Sequence, residues 1–235
     1  MKKKKWLYIG LLIILIVPII FLYQSFNGNP LTKYMSKSAV KRYLSENYPE
    51  HEYHIRKDVY NFKISGYSYE VVQIGSEENY EFEVTGLIKP TVTYDGIYYA
   101  NLDMPLIEKL QEQAAAELTT LLQEPIPELT NLSVQLEVLK GTYDEATNWH
   151  KDLKIEKPLY IHMTMDVAEL TKEDVLTAAK TAQKILNDEG YSYSRVSLNG
   201  NMFDLAADKD NPGYVKYAVG FEPNTNIALK QIEDF

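Results

Sequence analysis

Four short patterns in this 235-residue chain hold reactive residue types at suggestive spacing. Ser38-Ala39-Val40-Lys41 fits S-x-x-K, where a lysine one helical turn after a serine serves as its base. Ser45-Glu46-Asn47 imitates the second motif of the same serine enzymes. The K-T-G strand is missing, the two motifs are too close together, and Lys41 falls opposite the apolar stripe of its helix. A solvated helix face is therefore the reading. His51 and His54, flanked by Glu50 and Glu52, suggest metal. In a strand, however, positions three apart face opposite ways, and the spacing is not that of H-E-x-x-H. His150 and His162 stand alone, and His162 falls opposite Leu159, Ile161 and Met163, so a three-ligand zinc site is not expected. Asp204, Asp208, Asp210 and Asn211 approach Gly213 as in a calcium loop. Counted from Asp208, though, Pro212 takes position five and Val219 position twelve, where the loop wants a carboxylate. An acidic turn fits better. No glycine-rich phosphate loop, dinucleotide fingerprint or nucleophile elbow appears. A triad assembled by the fold from distant residues stays open.

The unusual residue is tyrosine. Seventeen of the nineteen lie after residue 26, eleven of them between residues 34 and 99. Tyr60, Phe62, Tyr67 and Tyr69 cluster across one hairpin, with Tyr94, Tyr98 and Tyr99 beyond. Rings with a polar tip suit recognition of glycans or peptides, which makes the first four the candidate binding residues. Tyrosine is equally at home on a half-buried strand face, and that structural use is the competing reading.

These residues must be positioned by a body that composition describes well. The hydrophobic share is 45% and the charged share 24%, as in ordinary globular chains. The four lysines at positions 2–5 face no acid before residue 27. Of the 24 basic and 33 acidic residues, the remainder thus holds 20 and 33, a net of −13. Such a body repels phosphate polyanions, so nucleic acid is not an expected partner. There is no cysteine. Disulfides, thiolate chemistry and cysteine-ligated metals are excluded, and no cofactor is expected.

"MKKKK" precedes "WLYIGLLIILIVPIIFLYQSF", an apolar run long enough to cross about 30 Å of hydrocarbon. A signal peptide needs small residues at its cut. Cutting after Gly28 would place Phe26 at the −3 position, and cutting after Ser25 would place Tyr23 there. An uncleaved anchor is the reading. Lysines at one end put the N-terminus in the cytoplasm and the body outside. Trp6 and Tyr8 mark one interface, Tyr23 and Phe26 the other.

The expected organisation is a tip at 1–5, an anchor at 6–26, a stalk at 27–32, a first domain at 33–124, a proline link at 125–130 and a second domain at 131–235. In the first domain, Leu31, Met35, Ala39 and Tyr43 recur at helical spacing before Pro49. "EYHIRKDVYNFK" and "YSYEVVQIG" form a hairpin, "NYEFEV" alternates, and Asp95-Gly96 supplies a turn. "PLIEKLQEQAAAELTTLL" carries one apolar stripe until "EPIPEL" breaks it. In the second domain, "NLSVQLEVL" and "KPLYIHMTMD" alternate. Thr171 and Asp174 open a helix that Gly190 closes. Asn199-Gly200 is read as a turn between strands. The fold class is α+β: a transmembrane helix, then two small domains, each an antiparallel sheet with one or two packed helices.

The order of features resembles the YfjL-like family of Bacillus and relatives. The lysine-led anchor, "GNP" at 28–30, the basic helix after it, "VYNFK" at 59–63 and Tyr-Asp-Gly at 94–96 carry the resemblance, mainly over residues 1–100. It implies a membrane location and a two-part extracytoplasmic region, and it supplies no catalytic residue. A helix on an antiparallel sheet is also similar to PepSY-type modules, thought of as protease-modulating or peptide-binding. The expected function is a membrane-anchored binding or interaction protein of a Gram-positive envelope, partnered by the membrane and by an envelope protein or peptide. A PepSY-like protease modulator and a surface hydrolase are the alternatives.

Overall fold

The computed structural model describes residues 2–203 and 213–235. The chain divides into two compact units, Met1–Asn101 and Leu102–Phe235.

The first unit begins with α1 (Lys2–Asn27), and none of its apolar window is buried. The helix is long and apolar enough to cross a membrane. α1 stops at Gly28, whose φ of +68° suits glycine. α2 (Pro30–Asn47) begins two residues later. Asn29 is its N-cap and accepts from Thr32 N at 2.9 Å, and Pro30 sits in the first turn, where no amide is needed. The stalk expected over 27–32 is therefore a two-residue break between helices.

Four strands follow as an antiparallel meander: β1 (Tyr53–Asn61), β2 (Gly66–Gln73), β3 (Asn79–Thr85) and β4 (Thr91–Asp95). Alternation sets the inner face. Ile55, Tyr67, Tyr69, Val71, Phe82 and Val84 are buried against Ala39, Val40 and Leu44 of α2. Glu81 and Glu83 take the other face, as their spacing predicts. Asp95-Gly96 is not a hairpin turn. Asp95 caps a short helix, α3 (Gly96–Ala100), because its carboxylate accepts from Ile97 N and Tyr98 N.

The second unit starts with α4 (Met104–Gln123), capped by Asp103, with Leu106, Leu110, Ala114, Leu118 and Leu122 buried on one stripe. α4 packs on β5 (Leu129–Gln135). The proline segment between them is not a linker, since Ile126 is 1% exposed and its amide bonds to Leu122 O at 3.0 Å. The division consequently falls at 101/102 and not at 125–130.

β6 (Leu159–Asp166), α5 (Lys172–Asp188), β7 (Tyr193–Met202), β8 (Tyr214–Phe221) and β9 (Glu233–Asp234) complete a sheet in order β5-β6-β7-β8-β9. Leu159, Ile161, Met163 and Met165 are buried on one face, as expected. The capping box of Thr171 and Asp174 forms, and Gly190 follows α5 at φ +76°. The fold is α+β throughout, with one correction. β6 and β7 are parallel, because α5 carries the chain back across the sheet between them. Asn199-Gly200 lies inside β7, not in a turn. A Cβ at Gly200 would meet Val167 Cγ1 at 2.6 Å, so the glycine admits a close neighbour.

Candidate functional site

The tyrosine cluster comes together, but as a clamp on the chain itself. Tyr60 and Tyr67 are a cross-strand pair, with ring centroids 5.2 Å apart. Tyr67 is 5% exposed and Tyr69 1%, so neither offers a recognition surface. The Tyr67 hydroxyl donates to Asn29 O at 2.9 Å, accepts from Asn29 N at 3.1 Å and lies 3.2 Å from Thr32 Oγ1. Tyr69 donates to Lys33 O at 3.3 Å. A Cβ at Gly28 would fall 2.4 Å from the Tyr67 hydroxyl and 2.6 Å from Tyr60 Cδ2. Phe62 is exposed and meets Phe26 of α1 at 5.9 Å. Lys33 adds an ion pair to Asp58 at 2.5 Å, which holds the Asp58 carboxyl below the usual range, burial opposing. The four aromatic residues thus fix the junction of α1 and α2 to the β1–β2 hairpin.

A second tyrosine group surrounds Asp95, which is 8% exposed. Its Oδ2 accepts from Tyr48 at 2.6 Å and Tyr43 at 2.9 Å, while Oδ1 takes the two α3 amides at 3.0 and 3.1 Å. Four donors satisfy this buried carboxylate. Burial, then the bond to Asp95, pushes the Tyr43 phenol up to about 12 and raises Tyr48 as well. This cluster ties α2, β4 and α3 together.

A groove of about 450 Å³ lies between α2 and β1 in the first unit. Lys37, Lys41, Leu44 and Ser45 line one side, and His51, Tyr53, His54 and Ile55 the other. α2 packs most closely over β3 and β4, and it reaches β1 through the ion pairs of Lys33 and Lys37 with Asp58. β1 is an edge strand, so half its backbone groups are not used by the sheet. His51 precedes β1, so the period-two argument that separated it from His54 does not apply, and both line the groove. The signal for this site was the lysine series 33, 37, 41 at one-turn spacing in an otherwise acidic chain.

The other candidates do not converge. Ser38 donates to Tyr34 O at 3.0 Å and Ser45 to Arg42 O at 2.8 Å, helix-surface bonds that leave neither poised as a nucleophile. His150 is exposed and His162 half-exposed in the second unit. Among the described residues no group of three or more His, Asp or Glu side chains could hold a metal ion. Asp204, Asp208, Asp210 and Asn211 lie outside the described residues.

Comparison with known proteins places the whole chain. Residues 3–96 match the YfjL-like N-terminal domain, and residues 113–235 match the YfjL-like C-terminal domain. The chain belongs to the YfjL-like family. The uncharacterized protein YfjL of Bacillus subtilis (strain 168) is 29% identical over 232 residues, 98% of each chain. The first match ends at residue 96 and the second begins at 113, within α4, so the structural division at 101/102 falls between them. A DUF5037 family protein from Ruminococcus gnavus ATCC 29149, known from its crystal structure, is 10% identical. It aligns over 82% of this chain and 96% of its own, with a TM-score of 0.29.

Proposed function

We propose that this YfjL-like protein is a single-pass membrane protein of a Gram-positive envelope, with residues 1–5 cytoplasmic and both units outside. Its role in this reading is binding, and the ligand is an extended acidic segment of an envelope protein or peptide. The groove beside β1 carries the proposal. An edge strand offers main-chain bonds to an added strand, and Lys41 and Lys37, the latter also paired with Asp58 at 3.6 Å, line the groove in a body that is acidic as a whole. Charge selects an acidic segment over the chain's own surface. The aromatic clamp supports the anchor reading, since it ties the unit to the end of a helix whose apolar window is not buried among the described residues.

The reading is tested by placing a photocrosslinking residue at Ser45, in the groove, or at Glu77, in the β2–β3 turn. Position 45 is expected to capture a partner in intact cells and position 77 not. Lys37→Glu with Lys41→Glu is expected to lower that capture at least tenfold. Equal capture at both positions, or capture indifferent to the two charge reversals, rules out the groove.

A further inference from the structure

One end of the first unit carries apolar turn tips that its core does not use. β1 and β3 both run toward this end, so the turns at 62–65 and 86–90 share it, and the turn at 74–78 lies at the opposite end. α1 arrives at the same end, through the Phe26–Phe62 contact and the seat of Gly28 on Tyr60 and Tyr67. Phe62 is 54% exposed, Leu87 66% and Ile88 90%. Gly86, at φ +100°, folds the second turn so tightly that a Cβ would meet Lys89 O at 2.7 Å, and this leaves Leu87 and Ile88 at the tip. Lys63 follows Phe62, Lys89 follows Ile88, and both lysines are exposed.

Depth decides what these tips meet. Residues 6–26 of α1 rise about 31 Å at 1.5 Å each, close to the hydrocarbon thickness of a bilayer. Phe26 then ends at the hydrocarbon boundary, and Phe62 stands beside it at that depth. With strands spaced about 4.8 Å apart, the 86–90 turn is roughly 10 Å further along the sheet edge. Single exposed apolar residues are commonplace. Three at one end, beside an emerging apolar helix and paired with lysines, are the pattern of an interfacial segment. Apolar groups enter below the headgroups while lysines reach the phosphates.

We propose that this end of the first unit docks on the lipid surface from which α1 emerges. Phe62, Leu87 and Ile88 enter the headgroup–acyl boundary, and Lys63 and Lys89 contact lipid phosphate. The inference rests on α1 spanning the bilayer. It adds a second and third membrane contact, which hold the unit upright and fix the height of the β1 groove.

The chain has no cysteine, so single cysteines carry a nitroxide without background. The full-length protein is placed in nanodiscs of anionic and zwitterionic phospholipid, one copy per disc. Labels follow from Ile88→Cys at the tip, Ile74→Cys in the opposite turn and Ile14→Cys within α1. Collision with oxygen against a water-soluble nickel chelate gives depth. Position 14 is expected deep in lipid, position 88 about 5–10 Å into the interfacial zone, and position 74 in water. A water-like position 88 with a lipid-like position 14 overturns the docking. A water-like position 14 overturns the anchor reading instead. Leu87→Asp in the Ile88→Cys background is expected to bring the label into water. A label that keeps its depth there overturns the apolar tip as the cause.

Discussion

Asp95→Ala should unfold much of the first unit's margin of stability. The carboxylate is 8% exposed and accepts four hydrogen bonds, two from tyrosyl hydroxyls and two from the first amides of α3. Bonds to a charged acceptor contribute about 1.5–3 kcal/mol each, and loss of an N-cap alone costs about 0.5–2 kcal/mol. The bonds are not additive, and removing a buried charge returns part of its desolvation cost. The expected net loss is about 3–5 kcal/mol. Asp95→Asn keeps the shape and one acceptor oxygen, and its amide can donate to the tyrosine oxygens, so about 1–2 kcal/mol is expected. The assay is urea unfolding of the full chain in micelles, followed by near-ultraviolet circular dichroism, to which the tyrosines of the first unit contribute. Trp149 emission, in a Trp6→Phe background, reports the second unit alongside. A loss below about 1 kcal/mol for Asp95→Ala, or equal losses for the two variants, refutes the network as the tie between α2, β4 and α3.

Three further outcomes follow. Tyr67→Phe removes the hydroxyl bonded to Asn29 and Thr32, and should cost about 1–3 kcal/mol. Amide exchange at Asn29 and Thr32 should quicken beyond the global change, and unchanged exchange there contradicts the clamp. Gly200→Ala places a Cβ 2.6 Å from Val167 Cγ1 and should lower the second unit's stability by about 1–3 kcal/mol. Val167→Ala in the same chain should recover part of it, and a neutral Gly200→Ala would show that the close approach is not needed. Above pH 10 the first unit should lose stability. Burial raises Tyr43 and Tyr69 from 10.0 to about 12, so the folded state favours the neutral phenols. Their contribution is complete below pH 10 and is lost as pH rises through 12. Tyrosinate absorbance should show a late class that ionises together with unfolding. Titration of every tyrosine near pH 10 in the folded protein would refute this.

Where one face of an element meets the core, the sequence shows it. Leu159, Ile161, Met163 and Met165 alternate because one side of β6 is dry, and Leu106 to Leu122 recur at helical spacing for the same reason. Thr171 and Asp174 announce a helix because capping is local chemistry. What pairs with what is not local. "KPLYIHMTMD", the α5 helix and "YSYSRVSLNG" stand in strand–helix–strand order, yet the parallel pairing of β6 and β7 depends on where α5 delivers the chain. Asn199-Gly200 has turn composition, but its glycine answers to Val167, thirty-three residues away in sequence. Tyr60, Phe62, Tyr67 and Tyr69 were legible as a group and not as a clamp. Nothing in their spacing tells that Asn29 and Gly28 lie against them. The groove is not legible in the sequence because it pairs a helix face with a strand edge, and each alone reads as solvated surface.

The most direct test of the account is cysteine accessibility in intact cells. Glu77→Cys marks the first unit, and Lys4→Cys marks the lysine tip. With a membrane-impermeant maleimide, the account predicts labelling at position 77 in intact cells and at position 4 only after lysis, with the protein in the membrane fraction. Labelling at position 4 but not 77 in intact cells, or recovery of the full-length chain in the soluble fraction, would contradict it.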